Sequence, residues 1–397
     1  MEFDSVDYSP SLLKKISWAG GNFNSYLQAE DALAEIGDIF ISYRQIARIT
    51  NKIGQELLSV RDHSKLVDHA VIPEKPPAAV VSVDGGRVQT RAENDLPGVH
   101  NPRWKENKVA HLQIMEADSH EVDPHPEVPT AFIDKDSVHA LVTGLAGHAK
   151  ATEKEKVNNK VSPPFQPHKH KKDKILLKSC VASMLEAEGF APLVRNEAER
   201  LNLNVAPKKL FISDGGSGNW LVYEKFFSHW LALLDFVHLV EHLFAVAQAT
   251  VKPKEQAWLF YVTLITHAWK GEVAPILNLL SQKQTEIGLP PKQASDNDPR
   301  IILRRAIHYI NENASRMDYP RIRKLGLPVS SCRVESLIKQ VNQRVKASDK
   351  FWTENKVEAV MQIRAAVLST TERWDTFWDK RMLFLSEANR VFLRNAA

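Results

Sequence analysis

The chain has 397 residues, of which 25% are charged and 43% hydrophobic, with 52 Lys and Arg against 48 Asp and Glu. This length allows two or three domains, this composition excludes a wholly disordered chain, and the two cysteines exclude a disulfide scaffold or a four-cysteine zinc module. No apolar run approaches the roughly 20 residues of a membrane span, and the acidic start lacks a secretion signal, so we expect a cytoplasmic protein without a membrane partner.

The first 60 residues predict two helices joined by a short turn. Residues 30–36 have helical composition, Gly37 and Asp38 break it, and Ser42 is a suitable N-cap for a helix over Ile41–Leu57. An apolar stripe runs along one face of that helix: Ile46, Ile49, Ile53 and Leu57. Polar side chains lie on its other faces: Arg44, Gln45, Arg48 and Lys52. The pattern is typical of a helix-turn-helix whose second helix enters a major groove, with an ordinary amphipathic hairpin as the alternative.

After a linker at residues 73–77, the pattern changes from helical to extended. Strands are predicted at Ala78–Asp84, Lys108–Met115, Lys209–Asp214 and Leu231–Leu234. A third strand with long loops is expected between residues 118 and 174. Helices are predicted at 175–188, near 220–227, from Asp235, throughout 243–310, and at 333–346 and 356–368. Strands followed by helices indicate an α/β sheet domain.

Two acidic residues close apolar strands that end in the same letters. Asp84 and Asp214 each precede two glycines, which allow a sharp turn and leave space beside the carboxylate. Ligands gather at the carboxyl ends of strands in open α/β sheets. If the two strands are neighbours, two carboxylates face one site, and a hard cation such as Mg²⁺ or Mn²⁺ relieves their repulsion. A simple turn at each Asp-Gly is the alternative.

A third acid is needed to hold two metal ions for in-line phosphoryl transfer. Glu335 is the best candidate, because it lies early in a predicted helix whose start is marked by a proline and serines. From residue 301 onward the chain has 18 Lys and Arg against 10 Asp and Glu. This basic last quarter is typical of a polyanion-binding surface, with a solvated, salt-bridged surface as the alternative.

Four motifs occur in order along the chain. They are Asp84-Gly-Gly-Arg-Val-Gln-Thr-Arg91, Asp214-Gly, Asp235-Phe-Val-His238-Leu-Val-Glu241-His242, and Met317-Asp-Tyr-Pro-Arg-Ile-Arg-Lys-Leu-Gly-Leu-Pro-Val329 followed by Val334-Glu335-Ser336. In this order they resemble transposases of the ISKra-type bacterial insertion sequences, over the chain from about Ser42 to about Trp378. The resemblance implies a ribonuclease H-like catalytic domain with an all-α insertion before the third acid.

The resemblance also implies a DDE triad of Asp84, Asp214 and Glu335 that binds Mg²⁺ or Mn²⁺. Such a triad cleaves double-stranded DNA at the element ends and joins the freed 3′-hydroxyl to target DNA. Because two element ends are cut, a homodimer or larger assembly is expected. The expected location is a bacterial cytoplasm, with the protein associated with the nucleoid when it is bound to DNA. Asp235, His238 and His242 are expected to support the catalytic site. The residues expected to contact DNA are Arg44, Gln45, Arg48, Lys52, Arg87, Arg333, Lys339, Arg344 and Lys346.

The predicted domain organisation has four parts. Residues 1–72 form a helical, helix-turn-helix-like region, and residues 73–242 form the first part of the ribonuclease H-like domain. Residues 243–315 form the helical insertion, and residues 316–397 contain the Glu335 helix and the basic C-terminal helices.

Two alternative functions remain open at the level of sequence. His238-Leu-Val-Glu241-His242 is also the pattern of a zinc peptidase, with two imidazoles on one helix face and Glu241 as base. The two Asp-Gly-Gly strands have no role in that hypothesis. The other alternative is a transposase remnant that binds DNA ends without cutting them.

Overall fold

The computed structural model describes residues 8–63, 72–92, 95, 103–149, 175–346 and 350–381. The strands of its single described sheet are β1 (Ala78–Thr90), β2 (Arg103–Met115), β3 (Ile175–Ser183), β4 (Lys208–Ser213) and β5 (Leu231–Leu234). Their order is β3-β2-β1-β4-β5. β2 pairs antiparallel with both β1 and β3, whereas β1, β4 and β5 are mutually parallel. The predicted α/β sheet is therefore confirmed, and β1, β4 and β5 run toward the same edge of it.

Helices surround this sheet and precede it in the chain. They are α1 (Pro10–Asn22), α2 (Tyr26–Gly37), α3 (Tyr43–His63), α4 (Lys135–Ala149), α5 (Ala187–Arg200), α6 (Ser217–Phe226), α7 (Phe236–Thr250), α8 (Lys254–Trp269), α9 (Val273–Ile287), α10 (Pro299–Asn313), α11 (Tyr319–Lys324), α12 (Cys332–Val345) and α13 (Glu354–Leu368). The predicted helical stretch after residue 243 and the helices near 333–346 and 356–368 are confirmed. In the described part of the chain, no helix has both the length and the apolar composition needed to cross a membrane.

Two apolar clusters cover the sheet. The larger contains residues from both faces of β1 and β4, and Val83 and Phe211 belong to it together with residues of α5 to α10. The smaller lies where the sheet packs against α12 and α13, and it contains Val109, Ala182 and Ile338. The helix that carries Glu335 is therefore packed directly on the sheet.

The prediction of a helix over Ile175–Glu188 is wrong. Residues up to Ser183 form β3, an edge strand paired with β2, and α5 begins only at Ala187. Cys180 packs on the α13 side and Val181 on the α5 side, so both faces of the strand are covered. Pairing and two-sided burial override the helical preference of its Leu, Lys and Ala residues. No strand occurs within residues 118–149, where one was predicted, and the rest of that range, residues 150–174, lies outside the described residues.

The two predicted N-terminal helices are confirmed as α2 and α3. Asp38 ends α2 in the left-handed region with φ 50°, and the Ser42 hydroxyl accepts a hydrogen bond from the Gln45 amide at 3.4 Å near the start of α3. The predicted apolar stripe of α3 is buried: Ile46, Ile49, Ile53 and Leu57. α3 packs so closely on α13 that a Cβ atom added at Gly54 would overlap the carbonyl of Ala359. The helix-turn-helix function and the domain boundaries stay predictions.

Candidate active site

Asp84 and Asp214 lie side by side at one edge of the sheet. The residues before them, Val83 and Ser213, are register partners in the parallel pairing of β1 with β4. The hydroxyl of Ser213 donates a hydrogen bond to the carbonyl oxygen of Val83 at 3.1 Å. Neighbouring strands are about 4.8 Å apart, so the structure brings the backbones of these two acids to within one strand spacing.

The Asp214 carboxylate is held through one of its two oxygens. Its Oδ1 accepts hydrogen bonds from the Gly216 amide at 3.0 Å and the Asn219 side chain at 2.9 Å, and the Ser213 hydroxyl oxygen lies 3.2 Å from it. No described residue donates to Oδ2. Gly215, with φ 92°, turns the chain from β4 toward α6, and Tyr309 donates from its hydroxyl to the Asp214 carbonyl at 2.8 Å. The turn therefore orients the carboxylate and leaves one oxygen available to a ligand.

Asp84 has a different setting, and the prediction that its strand ends there is wrong. β1 continues as paired strand to Thr90, with Gly85 opposite Lys108 and Gly86 opposite Asn107. Neither glycine has a positive φ. They are needed for close packing instead, because a Cβ at Gly86 would overlap Asn342 on α12. Asp84 is half-buried, and its Oδ1 accepts a hydrogen bond from the Gly85 amide at 2.6 Å.

Asp235 links three elements beside this pair. It is fully buried, and its amide donates to the carbonyl of Ser213 at 2.8 Å. Its Oδ1 caps α7 by accepting from the Val237 amide at 2.9 Å. Its Oδ2 accepts a hydrogen bond from the Ser331 hydroxyl, and Nε2 of His238 lies 3.9 Å away. Asp235 thus joins the ends of β4 and β5 to the start of α12, and its expected support of catalysis stays a prediction.

α12 crosses the sheet next to the two acids. Its first turn follows Ser331, which contacts Asp235, and further along Ile338 and Asn342 lie against Gly86. The backbone of α12 is described throughout, whereas the side chains of Arg333 and Glu335 lie outside the described residues.

The His238-x-x-Glu241-His242 motif does not form a metal-binding group. Among the described side chains, no cluster of three or more His, Cys, Asp or Glu residues is arranged to hold a metal ion. The ring of His242 instead stacks on Tyr309, with ring centroids 3.9 Å apart. Burial, with a smaller contribution from His238, lowers the pKa of His242 to about 4, and burial raises the pKa of Glu241. These features are those of packed residues, and nothing in the geometry supports the zinc peptidase.

The chemistry of the donor set at Asp84 and Asp214 fits a hard divalent cation. Carboxylate oxygens are the protein ligands that Mg²⁺ prefers, and this ion usually takes only one or two carboxylates together with water and substrate phosphate. The free Oδ2 of Asp214 provides such an oxygen beside Asp84. A Cβ at Gly216 would lie 3.2 Å from Oδ1 of Asp214, so this glycine leaves space beside the carboxylate.

The predicted DNA-contacting residues are partly at the surface. On α3, Arg44 and Arg48 are exposed, and Gln45 and Lys52 are half-buried. Near α12, Arg87 and Lys339 are exposed, and Lys346 is half-buried. Burial lowers the pKa of Lys346, and the positive charge of Arg87 lowers it further.

Arg344 is not available to DNA, so its predicted role is wrong. It is only 2% exposed, and it donates to the carbonyls of Gly20 at 2.8 Å and Asn24 at 3.3 Å. Its guanidinium lies over the ring of Tyr26, 4.3 Å from the centroid. The basic composition of the segment does not show that this arginine pairs with backbone carbonyls of α1 and of the turn between α1 and α2.

Sequence reasoning did not identify three residues that organise the site. Asn219 and Tyr309 hold the Asp214 turn, and Ser331 holds Asp235. Asn219 had a local signal, since it lies in the first turn of a helix five residues after Asp214. Tyr309 and Ser331 are distant in sequence, and only the fold brings them to the site.

A search of family models and a search of curated proteins each found no match. Among solved structures, the chain is similar to the Drosophila P element transposase strand transfer complex, with 10% sequence identity, a TM-score of 0.36, and coverage of 94% of this chain and 94% of that chain. This similarity is too low to establish a shared fold. The assignment of function therefore depends on the geometry of the chain itself.

Proposed function

We propose that this chain is a metal-dependent DNA transposase with a catalytic triad of Asp84, Asp214 and Glu335. The observation that carries the proposal is the pairing of Val83 with Ser213, since the two acids follow these partners directly, at the point where the parallel pairing of β1 and β4 ends. The sheet has the strand order β3-β2-β1-β4-β5 with both antiparallel and parallel pairs, which is compatible with a ribonuclease H-like domain.

The position of residue 335 on α12 supports its place in the triad. Residues three, four and seven apart share one face of a helix, so residue 335 lies on the face that also carries residues 331, 338 and 342. Ser331 contacts Asp235 at one end of this face, and Ile338 and Asn342 contact Gly86 at the other. Residue 335 therefore lies along α12 between the contacts with Asp235 and with Gly86, which supports its proposed place beside the two aspartates.

Each carboxylate has its own means of orientation. The Gly216 amide and the Asn219 side chain hold Oδ1 of Asp214, and the Gly85 amide holds Oδ1 of Asp84. A bound divalent cation would supply Lewis acidity and an activated water for phosphodiester cleavage. The rigid sheet edge keeps the two acids in a fixed relation, which in-line displacement requires.

Two sets of cations are proposed to hold the DNA. Arg87, Lys339 and Lys346 lie next to α12 and would bind phosphates without reading sequence. Arg44 and Arg48 on the exposed face of α3 would contact the element ends. The effect of the Arg87 charge on the pKa of Lys346 supports this, because a polyanion relieves the repulsion between two cations.

Nicking of supercoiled plasmid in the presence of Mn²⁺ tests the proposal. Asp84→Asn and Asp214→Asn should each lower the nicking rate on the order of 1,000-fold, because each removes a charged ligand of the cation. DNA affinity, measured by fluorescence anisotropy, should change less than about twofold, since neither acid binds a phosphate directly. Asp136→Asn, an exposed substitution on α4, is the matched control.

Two results would contradict the assignment. An Asp84→Asn protein that nicks at the wild-type rate would remove the triad. A wild-type protein that binds DNA with strong salt dependence and never nicks would instead favour the non-cutting remnant.

A further inference from the structure

The start of α12 has an unusual cap. Ser331 occupies the N-cap position, where a serine hydroxyl ordinarily accepts a hydrogen bond from the first turn and contributes about 1 kcal/mol to helix stability. In this chain the N-cap makes no side-chain hydrogen bond to the helix. The Ser331 hydroxyl donates instead to Oδ2 of Asp235. The Ser331 side chain therefore makes its hydrogen bond to a residue distant in sequence and not to its own helix.

That tertiary contact ends at the sheet edge that carries the two aspartates. Asp235 is fully buried, and its amide is bonded to the carbonyl of Ser213, the residue before Asp214. A second link runs from the Phe236 amide to the Val329 carbonyl at 3.2 Å, two residues before Ser331. Two hydrogen bonds therefore connect the end of β5 to the segment that begins α12.

We propose that Ser331 is a positioning residue, which sets the first turn of α12 through Asp235 so that the third acid reaches the cation held by Asp84 and Asp214. This inference rests on the proposed function. Residue 335 lies one helical turn after Ser331, and a small rotation at the helix start moves this position relative to the sheet. Partners that orient a metal ligand typically change metal affinity or activity 10- to 100-fold when they are removed.

Binding of Mn²⁺ to the full-length protein without DNA measures this directly. In an electron paramagnetic resonance titration of free Mn²⁺, Ser331→Ala should weaken binding about 10-fold. Ser331→Thr keeps the hydroxyl and should bind Mn²⁺ within about threefold of wild type. Ser336→Ala is the matched control, because Ser336 is an exposed serine on the same helix.

The outcomes separate a positioning role from a merely structural one. If Ser331→Ala lowers the unfolding midpoint but binds Mn²⁺ as wild type does, or if Thr and Ala behave alike, the inference is overturned while the proposed function stands. If Asp84→Asn and wild type bind Mn²⁺ equally weakly, the metal site fails, and the role of Ser331 fails with it.

Discussion

Asp84 and Asp214 are each followed by two glycines, yet the two segments have different backbone structures. After Asp84 the chain stays extended, and Gly85 and Gly86 remain paired with Lys108 and Asn107 of β2. After Asp214 the chain turns through Gly215 at φ 92° into α6. Glycine therefore serves two different needs beside two equivalent acids. One is the close approach of neighbouring side chains, and the other is a backbone conformation that other residues avoid.

Gly215→Ala should have the largest effect on stability. A positive φ costs an L-residue about 1–2 kcal/mol. The added Cβ would also lie 2.5 Å from Cε2 of Tyr309, and overpacking of this kind costs about 1–3 kcal/mol more. We expect the free energy of unfolding, measured in urea, to fall by about 3 kcal/mol.

Gly216→Ala is the internal control for that prediction. Gly216 has φ −64°, which any residue adopts, and its added Cβ would lie 3.2 Å from Oδ1 of Asp214. Its stability should stay within about 0.5 kcal/mol of wild type. A Gly216→Ala protein as unstable as Gly215→Ala would show that crowding, and not the backbone, demands glycine in this turn.

Gly86→Ala should come next, at about 2 kcal/mol. Its Cβ would overlap Asn342 and lie 2.7 Å from Oδ1 of Asn107, and both of these side chains are buried. The same substitution should cost clearly less in an Asn342→Ala background, because truncation of Asn342 frees the space. A double-mutant cycle by urea unfolding measures this coupling, and additive costs would argue against close packing as the reason for the glycine.

The contrast between the two segments marks what the sequence allows one to predict. The β-branched run before Asp84 and the apolar run before Asp214 identify both strands, and their similarity indicates neighbouring acids. The sequence alone does not distinguish a glycine required for a positive φ from one required for close packing. That difference depends on α12 and β2, whose contacts with Gly86 are set by tertiary packing. β3 was missed for the same reason, since its pairing with β2 overrides local propensity.

The same limit applies to the charged residues. The basic last quarter predicts a DNA-binding surface, and Lys339 lies at the surface as expected. Arg344, five residues later, also carries a positive charge, but it is buried against Gly20 and Tyr26. Burial of an arginine depends on which carbonyls and rings the fold presents to it, and periodicity does not report that.

Asn219→Ala tests by activity how the Asp214 carboxylate is oriented. The Asn219 side chain donates to Oδ1 of Asp214 at 2.9 Å, and the Gly85 amide donates to Oδ1 of Asp84 at 2.6 Å. We expect about a 10-fold lower nicking rate, with DNA affinity unchanged. Asn219→Asp is the informative partner, because it places a like charge beside Asp214 and should be worse than Ala. Equal rates for wild type and Asn219→Ala would mean that the turn alone orients Asp214.

Gly85→Ala should have the smallest effect. Its added Cβ would overlap Oε1 of Glu106, but this is the end of a flexible side chain that is 47% exposed and can shift. The other oxygen of Glu106 lies 3.1 Å from Nζ of the buried Lys108, and a shift of Glu106 weakens this contact without removing it, so we expect a cost of about 1 kcal/mol. Urea unfolding of Gly85→Ala and Gly86→Ala under the same conditions compares the two adjacent glycines directly. Equal costs would mean that the strand backbone itself requires glycine at both positions, whereas a larger cost at Gly86 assigns its role to the buried contact with α12.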